Sequence, residues 1–586
     1  MNKIVKLISP TMKKAITTTF LFLLFSTIVS AQVTFTDVSV TLGVNNNGAA
    51  QGCIFIDVNN DGYLDIYVLN NNTPNKLYIN TNGTTFTESS SSWGLASSFP
   101  GRGTSFADYN NDGYTDIVVG NWQTAIVLYK NLGTSFIDDA TNSGVNLMSW
   151  GGSSNWIDYN KDGKIDFAFG NDGVPYHYNY FFKNLDLTHF TNVAYPSGLT
   201  DSLSTLTISS ADYDNDGDMD LFFGSQTVQP AVGTGVLYRN NGDSSFTDVT
   251  AASGLVTFNY TWGSAWGDYN NDGYMDIALA SSNFSSQVYR NNGNGTFTEV
   301  TDSLGISDCA SAYSCGWADV DNDGDLDLYF ARGQNTSDKL YRNDGYIFSN
   351  IATTAGTGDT RHSSCITLGD YNNDGFLDIY LNNNGYENRL YKNNHETNYN
   401  WFKLKLQGTA TNRSASGSRV KVKTGPTTQI REVEGGSGGK GMNSLPVEFG
   451  LKQATIIDSV IVRWQSGLIQ RFANIPINQN LTLIEGGTIG INGIGEILPD
   501  NFSLYQNYPN PFNPSTTIRF EVPKSSFVNI TVYDIMGREI KQLVNGMKNA
   551  GNYEVNFDGS NLTSGVYFYK MTAGDFSETK KLALVK

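Results

Sequence analysis

From about residue 50 to residue 400, short apolar runs alternate with polar positions, and one four-run unit keeps returning. In its first copy the runs are residues 53–56, 64–68, 76–80 and 85–88. Period-two runs of this length, bounded by Gly, Asn and Asp, predict β-strands. The third strand recurs as Leu77-Tyr78-Ile79-Asn80, Leu128-Tyr129-Lys130-Asn131, Leu237-Tyr238-Arg239-Asn240, Leu340-Tyr341-Arg342-Asn343 and Leu390-Tyr391-Lys392-Asn393. The fourth recurs around Phe86, Phe136, Phe190, Phe246, Phe297 and Phe348. Such units bury their faces by stacking on one another, so the repeat predicts blades of an all-β, seven-bladed β-propeller. The seventh unit lacks a Phe-containing fourth strand. Phe35-Thr36-Asp37-Val38 resembles Phe246-Thr247-Asp248-Val249 and is expected to complete it, closing the ring without a wide open edge.

Between the first two strands of every unit stands Asp-x-(Asn/Asp)-x-Asp-Gly-x-x-Asp, seven times at intervals of 50 to 56 residues. The first copy supplies side-chain oxygens at Asp57, Asn59 and Asp61, a backbone carbonyl at Tyr63, and Asp65 to close the cage, with Gly62 allowing the sharp turn. Hard oxygen donors on a flexible loop suit Ca²⁺, and the layout matches the first half of an EF-hand loop. Position 12 is Val68 instead of Glu, so the ninth-position Asp must act in its place. The second set is Asp108, Asn110, Asp112 and Asp116, and the third is Asp158, Asn160, Asp162 and Asp166. The fourth is Asp212, Asp214, Asp216 and Asp220, and the fifth is Asp268, Asn270, Asp272 and Asp276. The sixth is Asp319, Asp321, Asp323 and Asp327, and the seventh is Asp370, Asn372, Asp374 and Asp378. Up to seven Ca²⁺ are expected. The fourth and sixth sets, with four carboxylates each, should bind tightest, and the third, beside Lys161 and Lys164, weakest. Asp and Asn also favour plain hairpin turns, but three Asp fixed in all seven copies go beyond turn preference. Mg²⁺ demands a more rigid octahedron and keeps its waters.

These repeats resemble the calcium-binding FG-GAP and VCBS repeats, the type found in integrin α-subunit propellers. Over residues 32–398 the resemblance implies structural Ca²⁺ on the rim of the ring and ligand recognition by other loops. Residues 399–487 form a second alternating, β-rich unit. Gly417-Ser418-Arg419-Val420, Gly435-Gly436-Ser437-Gly438, Phe449-Gly450-Leu451 and Arg463-Trp464-Gln465-Ser466-Gly467 give it a resemblance to the ASPIC/UnbV domain of cartilage-acidic-protein-like proteins. Gln465 stands where that family more often has Pro. The run from Gly435 to Gly441 formally satisfies G-x-S-x-G and G-x-G-x-x-G, but no amphipathic helix follows and Lys440 precedes Gly441 instead of Ser or Thr. It reads as a flexible Gly-rich turn.

After a linker at 488–499, residues 500–586 hold Asn507-Tyr508-Pro509-Asn510-Pro511-Phe512, Ser564-Gly565-Val566-Tyr567 and a basic end. Strands between Pro and Gly turns predict a small β-sandwich. The segment resembles the C-terminal sorting domain of the type IX secretion system of Bacteroidota, which implies passage through that machinery to the cell surface or the medium. At the other end, Met12-Lys13-Lys14, an apolar run to Val29 and small residues at Val29-Ser30-Ala31 predict a signal peptide over 1–31, with Met12 a better start than Met1. No other long apolar stretch predicts a transmembrane segment in the mature chain.

Charge fits this reading. The net charge is −18, and 23 of the 56 acidic residues are ligand-position Asp. Losing the four lysines of the leader gives −22, and seven Ca²⁺ would return it to −8. An acidic chain of this kind excludes basic-patch nucleic-acid binding. Export permits disulfides between Cys309 and Cys315 and between Cys53 and Cys365, with free buried thiols the alternative. The expected function is a monomeric adhesion or interaction module for an extracellular protein or glycan. Trp93, Trp122, Trp150, Tyr176 and Trp262, in or near inter-strand loops, are candidates for stacking on a ligand, although packing between blades is the plainer reading. The alternative is an extracellular carbohydrate-active enzyme, a calcium-assisted polysaccharide lyase or hydrolase, which needs an acid or base beside its substrate. His177, His189, His362 and His395 are the four histidines, and none has a recognisable partner in sequence, so no catalytic residue is assigned.

Overall fold

A computed structural model describes residues 33–586, apart from 173–177, 200–202, 227–234, 256, 258–259, 307–308, 334, 346, 396–397, 489–495, 498, 500 and 549–550. The signal-peptide prediction and the candidates Tyr176 and His177 lie outside the described residues.

Seven antiparallel sheets form the ring, the first six running from an inner strand outward in chain order. In blade 1 these strands are Ala50–Ile56, Asp65–Asn70, Lys76–Thr81 and Thr85–Glu88. The inner strand is buried along its whole length, because it packs against the inner strands on either side. Blade 7 takes its outer strand from the start of the chain: Phe35–Asp37 pairs with Arg389–Asn393, Phe35 opposite Asn393. This is the predicted closure. Blade 2 carries an extra strand, Met148–Trp150, on the end of Asp116–Ala125.

One residue type staples blade to blade. The Asn at or next to the end of each third strand, such as Asn240, is buried and donates its amide to two backbone carbonyls. One belongs to its own blade and the other to the Asp loop of the blade before: Asn131 to Val58, Asn184 to Tyr109, Asn240 to Tyr159, Asn291 to Tyr213, Asn343 to Tyr269 and Asn393 to Val320. Asn80 to Tyr371 joins the first blade to the last at 2.9 Å. Buried carbonyls need such partners, so the repeated Asn is a requirement of the ring.

The second unit packs two sheets around Phe402, Val420, Val460, Trp464 and Phe472. Four of its strands, Trp401–Gln407, Arg419–Thr424, Ile457–Arg463 and Gln479–Ile484, fall on the segments where apolar and polar residues alternate. Thr427–Glu432, Val447–Gly450 and Ile469–Ile475 were not apparent, being short or broken by polar residues. The linker is not wholly a linker, since Ile497 pairs with Phe472 as an edge strand of this unit. The C-terminal unit is the predicted sandwich: Ser515–Val522 and Gly551–Asp558 face Ser526–Tyr533, Gly565–Ala573 and Phe576–Leu584 across a core including Ile518, Ile530, Tyr569 and Met571.

The Gly-rich segment is not the flexible turn that its sequence suggests. It enters the axis of the ring and bonds to the inner strands. Trp156 N donates to Gly435 O at 2.7 Å, Gly438 N to Ser264 O at 3.0 Å, Thr104 N to Lys440 O at 3.2 Å and Thr367 Oγ1 to Met442 O at 2.8 Å. A Cβ on Gly435 would overlap Trp156 O, and one on Gly441 would overlap Cys53 O. Glycine is required there by the approach of foreign backbone, not by a turn of its own. All four cysteines are free and buried, which is the alternative to the two disulfides that export permits. Cys315 packs with Cys309 in the blade 5–6 core and donates to Ala278 O at 3.5 Å, while Cys365 donates to Ile366 O at 3.5 Å.

Candidate functional site

Each Asp loop joins an inner strand to the next strand out. The loops therefore gather near the axis on one face of the ring, not on its rim as the family resemblance implies. In all seven, the first Asp accepts from the Gly N at position 6, at 2.7 to 3.2 Å. The ninth Asp accepts from the backbone N of the stapling Asn, at 2.7 or 2.8 Å. Position 9 thus has a fold-making task that the sequence did not reveal.

Positions 1, 3 and 5 are drawn together by the backbone N of position 5. Asp61 N donates to Asp57 and to Asn59, and Asp112 N to Asp108 and to Asn110, all at 2.9 to 3.1 Å. Asp162 N donates to Asp158 and Asn160, Asp272 N to Asp268 and Asn270, Asp323 N to Asp319 and Asp321, and Asp374 N to Asp370 and Asn372, at 2.9 to 3.2 Å. In the fourth loop Asp216 N reaches Asp214 at 3.3 Å. The position-3 oxygens of Asn59, Asn110, Asn160, Asn270 and Asn372 are thus turned into their loops, on the side where a bound ion would need them. Asn59 and Asn160 also donate their amides to the carboxylates of Asp61 and Asp162, at 3.0 and 3.2 Å. Those two loops hold themselves closed by bonds that a cation would replace.

Position 4 was also missed. Its residue has positive φ in every loop, from 55° at Lys161 to 64° at Asn215. Asn tolerates that region best among non-glycines. Its amide then reaches the Gly carbonyl of the next loop: Asn60 to Gly113, Asn111 to Gly163, Asn215 to Gly273, Asn271 to Gly324, Asn322 to Gly375 and, closing the circle, Asn373 to Gly62, at 2.8 to 3.3 Å. The third loop has Lys161, which instead reaches Asp218 of the next loop at 2.8 Å, while Lys164 pairs with Asp162. The recurring Asn-Asp-Gly, with Lys161 as its exception, was the available signal.

The donor set fits a hard cation. Burial, and then neighbouring carboxylates, push the loop acids up: Asp65 to about 8, Asp108 and Asp268 to about 6, and Asp158 and Asp321 to about 7. Asp116, Asp166, Asp220, Asp276, Asp319, Asp327 and Asp378 lie well above the carboxylate range for the same reasons. Carboxylate oxygens of Asp212, Asp214 and Asp216 lie within 4.8 Å of one another, as do those of Asp319, Asp321 and Asp327. These are the fourth and sixth loops. Asp166 Oδ2, Asp212 Oδ1 and Asp276 Oδ2 are buried without a hydrogen-bond donor among the described residues. Crowded, desolvated anions of this kind call for positive charge.

The second unit covers the same face. Lys405 Nζ lies 3.7 Å from Asp57, Ser414 Oγ accepts from Asp108 N at 2.8 Å, and Gly450 N donates to Asp319 at 3.0 Å. Arg463 and Arg419 both meet Asp212, and buried Lys403 pairs with Asp370 at 3.3 Å and Glu448 at 3.6 Å. Acidic loops and basic underside are complementary.

The remaining candidates divide by location. His189 pairs with Asp186 on the surface and His395 with Asp374 of the seventh loop. Trp93 packs on Phe136 in the blade 1–2 core. Trp122, Trp150, Trp262 and His362 lie at the opposite end of the inner strands from the Asp loops.

Three family models match the chain. The FG-GAP-like repeat matches residues 57–119, 108–169, 158–223, 227–279, 268–330 and 319–381. ASPIC and UnbV matches 408–489, and the secretion system C-terminal sorting domain matches 506–585. Cartilage acidic protein 1 of Mus musculus is 24% identical over 263 residues, 44% of this chain and 33% of its own. That of Xenopus tropicalis is 36% identical over 91 residues, 15% of this chain and 14% of its own. The chain thus spans only a third or less of the length of these relatives. Among solved structures, YCF48 bound to D1 peptide aligns with 59% of this chain and 94% of its own, at 8% identity and a TM-score of 0.36. The sorting domain marks the protein for type IX export, to the cell surface or the medium of a Bacteroidota-type bacterium. Among the described residues no helix is long and apolar enough to cross a membrane. With the repeat matched over more than half its length, the chain belongs to the FG-GAP-like repeat family, here joined to an ASPIC/UnbV unit and a type IX sorting domain.

Proposed function

We propose that this protein is a calcium-stabilised binding module, presented at the cell surface or released, which recognises an extracellular protein or glycan. The observation that carries the calcium part is the seven-fold set of Asp loops, with buried carboxylate oxygens that meet no donor among the described residues at three of them. Residues at positions 1, 3, 5 and 9 of each loop would hold the ion, which supplies positive charge where burial has concentrated negative charge. Its role is structural, because the loops lie between the ring and the second unit and are cross-linked to both. At free Ca²⁺ about 100-fold above Kd, each site would add roughly 2.7 kcal/mol. Export supports the binding part, as does a rigid ring that carries Trp122, Trp150 and Trp262 at the end away from the Asp loops. The test is an array of glycans and extracellular-matrix proteins probed with the mature chain with and without Ca²⁺. Calcium-dependent capture of a defined ligand is expected. Capture of nothing on either array would reject the reading.

A further inference from the structure

The ends of the inner strands away from the Asp loops share an irregularity. Register shifts fall between Ala50 and Gly52, Gly101 and Gly103, Thr205 and Thr207, Thr261 and Gly263, Ala312 and Ser314, and Ser363 and Cys365. Each leaves one residue out of the ladder, among them Gln51, Arg102, Trp262 and Tyr313. Bulges re-aim side chains and gather next to functional sites. Here they set Gln51, Arg102 and Trp262 around Lys440, at the mouth of the ring's axis away from the Asp loops.

The Gly-rich segment, which plugs the axis of the ring, completes that mouth. Lys440 comes from the second unit, yet its backbone lies in the channel and its Nζ reaches Gln51 Oε1 at 3.2 Å. The ammonium sits 5.1 Å from the Trp262 ring and bonds only to Gln51 among the described residues, and the residue as a whole is 5% exposed. It keeps donors to spare. Trp262 packs on Tyr313 and Tyr313 on His362, both at 5.0 Å between ring centres. Trp262 Nε1 is buried without an acceptor among the described residues. On the other side Arg102 lies 4.2 Å over Trp122, which meets Trp150 at 5.6 Å. Its one carboxylate neighbour among the described residues, Asp172, stands at 3.5 Å and accepts from Ser204 and Gln226 as well. Arg102 and Lys440 are close enough to repel, and that repulsion adds to burial in lowering Lys440 to about 8. Two cations held together in a chain of net charge −18, with a buried donor beside them, are arranged for an anion.

We propose that this mouth binds an acidic saccharide, uronate units lying against Trp122 on one side and Trp262 on the other while Arg102 and Lys440 hold a carboxylate. Half-buried ring faces suit the C–H faces of a pyranose, and Asp172 with Gln226 suits its hydroxyls. Among the described residues the half-buried lining is aromatic rings and polar groups. The inference rests on the binding-module reading and gives it a site and a ligand class.

The experiment titrates the mature chain, in excess CaCl₂, with oligogalacturonate, a hyaluronan hexasaccharide and oligoalginate. Each is compared with its carboxyl-reduced form by calorimetry and tryptophan fluorescence, and a hexaglutamate peptide is run beside them. At least one acidic oligosaccharide should bind, and its reduced form about tenfold or more weaker. Arg102→Gln and Trp262→Ala should each lower affinity about tenfold or more at unchanged melting temperature and calcium content. Binding to none of the three, equal binding of the reduced form, wild-type affinity in both variants, or equal binding of hexaglutamate through the same residues would each overturn the proposal. If both variants prove unfolded, Lys440→Met provides the same comparison, and wild-type affinity there has the same consequence. A ligand found on the arrays but insensitive to these variants would refute this site and leave the binding-module reading intact.

Discussion

Replacing Asn240 by Ala tests the inter-blade staple. The side chain is 1% exposed and makes three hydrogen bonds: to Tyr159 O at 2.9 Å, to Met219 O at 3.2 Å, and from Gly242 N at 3.1 Å. Its backbone bond to Asp220, at 2.8 Å, survives the change. A buried hydrogen bond contributes about 1 kcal/mol net, and each stranded partner costs about 1–3 kcal/mol. Two carbonyls are stranded in the interior, so the loss should be about 3–5 kcal/mol, at the upper end for single substitutions. Urea unfolding in saturating Ca²⁺, followed by tryptophan fluorescence, would read this as a lower midpoint with unchanged slope. Asn241→Ala is the control. That neighbour is exposed and its side chain bonds to Ser245 and Thr247, so the change should alter stability by less than about 0.5 kcal/mol. A loss below about 1 kcal/mol at Asn240 would refute the staple.

Gly435→Ala should displace the plug, since its Cβ would overlap Trp156 O; protection of the Trp156 amide in hydrogen exchange should fall, and unchanged protection would contradict the packing. The plug should also make stability depend on pH in two windows. Burial raises Glu434 to about 7, so the folded state binds the extra proton and stability falls as pH rises from about 4.5 to about 7. Burial and Arg102 lower Lys440 to about 8, so stability falls as pH drops from about 10.5 to about 8. Melting curves of Glu434→Gln and Lys440→Met should lose the acid and alkaline slopes respectively, and a slope kept in its own variant would contradict this assignment. Lys161→Asn should restore the loop-to-loop bond and remove a cation, tightening the weakest calcium event in calorimetry; an unchanged isotherm would show that the third loop is not limited by its lysines.

The ring was legible because its information is periodic. Strand alternation, the third-strand Leu-Tyr-x-Asn and the Asp loops repeat often enough to align by eye, and Phe35-Thr36-Asp37 declared the closing strand by likeness to Phe246-Thr247-Asp248. What the repeat hid was the reason for some of its letters. Asn80 and its six equivalents read as strand residues, although they serve the neighbouring blade through space. Gly435 and Gly441 read as a turn because glycine under foreign backbone and glycine in a loop look identical in sequence. Cys309 and Cys315 are close along the chain, which says nothing of how the thiols are oriented. The mouth of the channel is assembled from bulges and a residue of another unit, so Trp122, Trp150 and Trp262 could be named as candidates but not brought together.

Whether calcium in the Asp loops holds the ring is tested most directly by the calcium content of the purified mature chain, by elemental analysis, paired with its melting temperature before and after excess chelator. Several Ca²⁺ per chain, up to seven, and a lower melting temperature restored by adding CaCl₂ are predicted. A chain that carries no calcium from calcium-containing buffer, or melts at the same temperature in chelator, would contradict the claim.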